Sequence, residues 1–404
     1  MTAAHDPQHS SRPLRILVAP DKFKGSLTAR QAAESIAAGI LDAVPDSEIT
    51  LLPVADGGEG TIDALVAAGA ELHQATISGP LGEPLEAAWA SLKDLAVVEM
   101  AQAAGLQLIP QPSAATAEAA STYGVGQLIL DALDSGFRKI IVGAGGVATT
   151  DAGAGALLAL GLTLLGPDGA RITNGTHAVH ATALDASTFD PRLRDAELVI
   201  ATDVGVPLVG ARGAARLFGP QKGADPAAVQ RLERRLESWN DLLVSAFGAD
   251  TSAMPGVGAA GGFAVGFLAA GIGRITSGIG LIGELIGLDA AMSRSDLVIV
   301  GEGSLDDQSL EGKAPIAIAR AATRRDIPVL ALSGVIQSAT RSRLLADGIL
   351  SADCIFDLTE DKDAAINRAQ SLLRVLAARA MRRFETEVSG PGGLTGISAK
   401  AGSL

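Results

Sequence analysis

Short apolar runs that close in loops rich in Gly and Asp, then give way to helical periodicity, recur along this chain and restrict its fold more than any other feature. A run too short for a helix, punctuated by Gly and followed by a 3.6-residue pattern, reads as a strand feeding a crossover helix and so as part of a parallel sheet. Such runs lie at 14–19, 49–54, 139–142, 197–201, 296–300 and 328–332, and amphipathic helices are expected over 28–41, 61–68, 126–134, 227–246, 314–322 and 364–384. With 48% hydrophobic but only 3% aromatic residues, the core must be built from Ala, Val, Leu and Ile, which suits helices packed on parallel sheets. The fold class is therefore α/β.

The 404 residues exceed one ordinary core and call for two domains. Between about 79 and 100 the texture changes to short alternating segments punctuated by Gly79, Pro80, Gly82 and Pro84. From 296 the plain βα texture returns. The expected architecture is a discontinuous Rossmann-like parallel-sheet domain from 14–78 plus 291–386, and an inserted second α/β domain over 79–290. The ends, 1–13 and 387–404, read as a disordered leader and tail, polar or of low complexity.

The formal charge of −13 repels polyanions and argues against nucleic acid or an anionic membrane as partner. Cys354 is the only cysteine, which excludes an intrachain disulfide, and the first 13 residues carry no apolar stretch of signal-peptide type. A cytoplasmic protein is expected. The uncharged stretch 255–273 reads as a buried Gly-rich loop entering a helix rather than as a membrane span.

In open α/β sheets ligands bind beyond the carboxyl ends of the strands, where helix N-termini and loop amides converge. The suggestive residues fall there. Asp21-Lys22-Phe23-Lys24-Gly25-Ser26 puts cations at the entry to a helix, suited to a phosphate or carboxylate. Asp56-Gly57-Gly58-Glu59-Gly60 holds two carboxylates among three glycines, allowing close backbone approach with metal or hydroxyl contact. Gly145, Gly146, Thr149, Thr150 and Asp151 lie in a Gly-rich loop that could offer successive amides to an anion. Asp203 and the acids of Glu302-Gly303-Ser304-Leu305-Asp306-Asp307 follow apolar strands, suited to magnesium binding or to removing an alcohol proton, or to capping the next helix. Lys222 and Lys313 are cations in Gly-flanked turns. No Walker A loop is present, and Gly256–Gly261, although it satisfies G-x-G-x-x-G, follows Pro255 and not a strand, so it reads as a phosphate-approaching or helix-packing loop.

The words LVAPDKFKGSLTA, PVADGGEGT, GPLGEPLEAAW, GGVATTDAGAG, ATDVGVPL, LFGPQKGA, PGVGAAGGF and VGEGSLDDQSLEGKAP, in that order, resemble the bacterial glycerate kinase family over roughly 14–382. The resemblance implies phosphorylation of D-glycerate by Mg-ATP to 2-phosphoglycerate, with 3-phosphoglycerate as the alternative product. It implies ATP and Mg²⁺ as cofactors and ATP and glycerate as small-molecule partners; a homodimer is one assembly the sequence leaves open, since oligomeric state is not legible in it. Carried over by position, Asp203 and Asp56 are the expected catalytic carboxylates and Glu302 and Asp306 the expected metal ligands. Lys24, Glu59, Lys222, Gly145, Gly146, Thr149 and Lys313 are expected to bind substrate or phosphate. The chain departs from the family's words at Val147, Thr150, Gly205, Val206 and Ser304, each replacing a polar or charged group. Those departures admit two rival readings: a kinase of a related small hydroxy acid, and a non-catalytic protein that binds nucleotide or hydroxy acid.

Overall fold

The computed structural model describes residues 12–55, 57–310 and 313–389. Its strands are β1 (Arg15–Pro20), β2 (Glu48–Leu51), β3 (Glu71–Ser78), β4 (Pro84–Leu92), β5 (Leu95–Glu99), β6 (Lys139–Gly143), β7 (Thr163–Leu165), β8 (Ala183–Asp185), β9 (Glu197–Ala201), β10 (Gly273–Thr276), β11 (Leu297–Leu305), β12 (Val329–Ile336) and β13 (Ser351–Cys354). They fall into two compact units, Met1–Pro53 with Gly287–Leu404, and Val54–Ile286.

The first unit carries a five-stranded, wholly parallel sheet in the order β13-β12-β11-β1-β2. Parallel strands covered on both faces lose the polar alternation of half-exposed strands, and Ile16–Pro20 and Leu297–Glu302 are buried at every position. Helix Ala29–Ala43 begins in a capping box in which Thr28 and Gln31 exchange bonds, and it buries Ala32, Ala33, Ile36 and Ile40. It lies so close to helix Ala369–Ser389 that a Cβ on Gly39 would stand 2.1 Å from the carbonyl oxygen of Arg374. Arg12, on which the expected leader ends but for one residue, donates both terminal guanidinium nitrogens to Asp296 at 2.8 and 2.7 Å. The remainder of the expected leader, 1–11, and 390–404 of the expected tail lie outside the described residues.

The second unit holds a six-stranded sheet in the order β10-β9-β6-β5-β4-β3. Its β5, β6, β9 and β10 run parallel, whereas β3, β4 and β5 form an antiparallel meander. Trp89, Trp239, Phe263 and Phe267 are fully buried in the core, so the few aromatic residues supply bulk that the Ala-rich helices lack. Residues 54–78, placed by texture with the first domain, belong to this unit. The reason is pairing: β3 runs in register with β4 from Glu71↔Ser91 to Ser78↔Pro84, and helix Thr61–Ala67 packs on β4 and β5. The stretch 255–273 holds a 3₁₀ turn, Ala259–Gly261, and the short helix Ala264–Ala269 before β10 begins at Gly273, and among the described residues no helix is long and apolar enough to cross a membrane.

Candidate active site

In the second unit the turn after residue 56 lies across the carboxyl ends of β6 and β9. Gly57 has φ +90°, and a Cβ there would come 3.0 Å from the carbonyl oxygen of Ala201. A Cβ on Gly143 would stand 2.2 Å from the oxygen of Gly57, and one on Gly145 2.7 Å from the Cα of Gly58. Only glycine permits this stack of backbone on backbone. Glu99, at the carboxyl end of β5 and almost wholly buried, accepts from the amides of Gly60 at 3.2 Å and Ile62 at 3.0 Å, so it holds the turn and the start of helix Thr61–Ala67 in place. Sequence reasoning passed over Glu99, although a lone carboxylate ending an apolar strand is a readable signal. Glu59 is half-buried beside Gly146, whose backbone is exposed. Asp56 lies outside the described residues.

The loop after β6 is fixed from several sides. Leu106 donates to the oxygen of Gly146 and Ala148 to that of Ala104, both at 2.8 Å. Asp151 is buried and accepts from the Thr122 amide and hydroxyl, both at 2.8 Å, and from the amides of Gly153 and Gly155. Burial raises the Asp151 pKa against these bonds. Lys222, 3% exposed, donates its Nζ to the Thr149 carbonyl at 2.6 Å and to Thr150 Oγ1 at 3.3 Å. Burial lowers its pKa to about 8, opposed by the charge of Asp151. The Thr149 hydroxyl is buried and makes no hydrogen bond among the described residues. The G-x-G-x-x-G stretch proves to be a packing loop: a Cβ on Gly258 would meet the oxygen of Pro207 at 2.1 Å, and one on Gly261 that of Thr149 at 2.1 Å. Asp203 is exposed two residues beyond β9, where Oδ1 accepts from Ser277 Oγ at 2.7 Å and Oδ2 from the Ile279 amide at 2.9 Å. Glu59, Gly145, Gly146 and Asp203 thus share the carboxyl end of this sheet, with Thr149 and Lys222 buried behind the loop.

The first unit gathers the other residues at the carboxyl end of β11. This strand runs through Glu302 to Leu305, past the point where the sequence reading ended it, because β12 continues beside it with Glu302↔Ser333 and Leu305↔Ile336 in register. Glu302 is 6% exposed, and burial raises its pKa. Its Oε2 lies 3.4 Å from Lys313 Nζ, while Oε1 is buried without a hydrogen bond among the described residues. Asp306 accepts from the Ser309 amide at 3.0 Å and stands 4.0 Å from Lys313 Nζ. Lys24 is exposed, its own amide packed against Gly303, where a Cβ would come within 2.9 Å. Among the described residues no three His, Cys, Asp or Glu side chains converge on a metal site.

The sequence profile of the glycerate kinase family matches residues 16–385. A glycerate kinase of Halalkalibacterium halodurans is 38% identical over 366 residues, covering 90% of this chain and 96% of the relative. A glycerate 2-kinase of Escherichia coli K12 is 41% identical over 326 residues, covering 80% and 85%. A crystal structure from Salmonella typhimurium LT2, described as a glycerate kinase 2, superposes with a TM-score of 0.76 at 34% identity, covering 93% of this chain and 99% of that one.

Proposed function

Because this chain belongs to the glycerate kinase family, we propose that it transfers the γ-phosphoryl group of ATP to the 2-hydroxyl of D-glycerate, giving 2-phosphoglycerate and ADP. The observation that carries this reading is the stack of Gly57 and Gly58 on Gly143 and Gly145. It leaves a wall of backbone at the ends of β6 and β9, with the carboxylates of Glu59 and Asp203 at its rim. Phosphoryl transfer asks little covalent chemistry of a protein and much positioning, which a rigid wall of this kind supplies.

In this reading the Asp203 carboxylate, fixed by Ser277 and Ile279, orients the alcohol and takes its proton as the new P–O bond forms and the bond to ADP breaks. Lys24 and Lys313 contact phosphate or the substrate carboxylate. Lys222, committed to Thr149 and Thr150, acts on the ligand through the loop it braces. Glu302 and Asp306 fit magnesium, which binds through one or two carboxylates together with substrate phosphates, and the unengaged Oε1 of Glu302 is a donor of the right kind. The ion supplies neutralisation of phosphate charge when bound. Cys354, buried and free, is consistent with a reducing, cytoplasmic setting.

D-Glycerate is preferred over a related acid because three of the five departures from the family's words are absorbed by packing or bonding within the protein, while Gly205 and Ser304 are not fully buried. Val147 belongs to the hydrophobic core, Val206 is buried, and the Thr150 hydroxyl is engaged by Lys222. The test is kcat/KM across a panel of short hydroxy acids at saturating Mg-ATP, with the phosphorylated carbon assigned by NMR. D-Glycerate should lead the panel and carry phosphate at C2. A better substrate elsewhere in the panel would transfer the assignment to that acid, and no turnover with any member would favour a non-catalytic binding protein.

A further inference from the structure

Apart from the three-residue pair β7-β8, the two large described sheets end in four edges of very different character. In the first unit β2 and β13 are four residues each, and in the second β10 is four residues with Arg274 paired to Glu197. Short edges and charged side chains are how proteins keep open ladders from pairing with other chains. The remaining edge, β3, is eight residues long, Glu71-Leu72-His73-Gln74-Ala75-Thr76-Ile77-Ser78, with no Lys, Arg or Pro and a single acid at its start. It continues in unbroken register along β4, with no bulge to turn it aside.

The direction of its backbone groups follows from the adjoining turn. Gly79 donates to the oxygen of Glu83, so Glu71, His73, Ala75 and Ile77, at the same alternation, face β4. Leu72, Gln74 and Thr76 turn their N–H and C=O groups outward, and among the described residues nothing pairs with them. All three residues are exposed, Leu72 to 48%. The strand is also held firmly from one face: His73 stacks on Trp89 with ring centroids 4.0 Å apart, Trp89 donates to Asp131 at 2.7 Å, and the Ser78 amide donates to Gln127 at 2.7 Å.

We infer that β3 is a self-pairing edge, which joins two copies of this chain in an antiparallel ladder about a two-fold axis at Gln74. Around that axis Gln74 meets the partner's Gln74, Leu72 the partner's Thr76, His73 the partner's Ala75, and Glu71 the partner's Ile77. No like charges face each other, and Leu72 gains a β-branched neighbour of the sort that stabilises cross-strand pairs. The surface is isologous, as a two-fold dimer requires. Other occupants are less suited. A basic peptide would find one carboxylate in eight residues, and although two copies each carry a formal charge of −13, the Leu72, Gln74 and Thr76 side chains that meet around the axis are uncharged. A ladder of this length is small beside a standard interface of about 1,600 Å², so the dimer dissociates on dilution.

The test is sedimentation velocity of the full chain across a concentration series. Wild-type protein should shift from monomer to dimer as concentration rises. Gln74→Lys puts like charges opposite one another at the axis and should raise the dissociation constant at least about tenfold. Gln74→Cys should form a covalent dimer under diamide, because Cα atoms of a hydrogen-bonded antiparallel pair lie about 5.5 Å apart, within disulfide range. Leu72→Cys should not, since its two copies would be four residues apart along the ladder, roughly 13 Å. A monomer at every concentration would overturn the inference, as would a dimer that ignores Gln74→Lys and leaves Gln74→Cys uncrosslinked. No readout uses turnover, so failure here leaves the kinase reading standing, and the reverse holds too.

Discussion

The two units present their candidate residues in opposite ways. At the ends of β6 and β9 the site is built from backbone, with glycines stacked too closely for any Cβ and the buried charges of Asp151 and Lys222 engaged. At the end of β11 it is built from side chains, with Glu302 holding one oxygen bonded to Lys313 and the other free of hydrogen bonds among the described residues. A backbone site fails when its packing is disturbed. A side-chain site holds a buried charge that destabilises the empty protein and becomes useful once a ligand compensates it.

Packing defects in the backbone site should have the largest effect. Gly143→Ala forces a Cβ to within 2.2 Å of the oxygen of Gly57 and should cost about 3 kcal/mol, a fall in Tm of roughly 6–12 °C, with turnover lost alongside. Scanning calorimetry measures it. A normal melt would show that the turn slides aside, and the contrast between the units would collapse.

Asp203→Asn should separate chemistry from packing. Asn keeps one oxygen to accept from the Ile279 amide and can donate its NH2 to Ser277 Oγ, which is able to accept, so the melt should stay near wild type while kcat falls about a hundredfold. Steady-state kinetics on the folded variant decide it, and near-normal kcat would remove Asp203 from the mechanism.

Glu302→Gln should show the converse of the glycine result. Burial raises the carboxyl pKa, so in the range above the unfolded value near 4.5 the folded state holds its proton more tightly, and stability falls as pH rises through the folded pKa. Removing the charge should therefore raise Tm at neutral pH by about 2–4 °C, near 1 kcal/mol, while magnesium-dependent turnover drops about tenfold to a hundredfold. A variant that is both less stable and fully active would mean that Glu302 serves the fold.

The smallest effect concerns Lys222. Its folded pKa of about 8 lies below the ordinary 10.5, so between those values the unfolded chain binds the extra proton and stability gains with pH. In melting curves across pH 7 to 10.5 the Tm of wild type should rise by a few degrees relative to that of Lys222→Met. Parallel curves would show that the ammonium is not penalised by burial, and its bonds to Thr149 and Thr150 would then hold it without strain.

Much of this was legible beforehand. The strand at 197–201 is found where its apolar run stands, and the helices expected over 126–134 and 227–246 are recovered as Tyr123–Asp134 and Pro226–Phe247. Local pattern suffices there because burial follows the strand and helix periods. The place of 54–78 was not legible, since texture does not say which strand β3 will pair with. Nor was the fate of Lys222: a Gly-flanked lysine reads as a surface cation, and only the folded chain brings it under Thr149.

The sequence by itself determined that this chain is α/β, that its carboxylates and glycines gather after the strands, and, through the order of its words, the family to which it belongs. Those properties lie in periodicity and in residue identity, both local. Tertiary structure alone decided that Gly57 rests on Gly143, that Glu99 anchors the turn above it, that β11 carries Glu302 within the sheet, and that β3 is left as a long open edge. Each depends on contacts between segments far apart in the chain, where the geometry of packing selects the neighbour and no local preference encodes it.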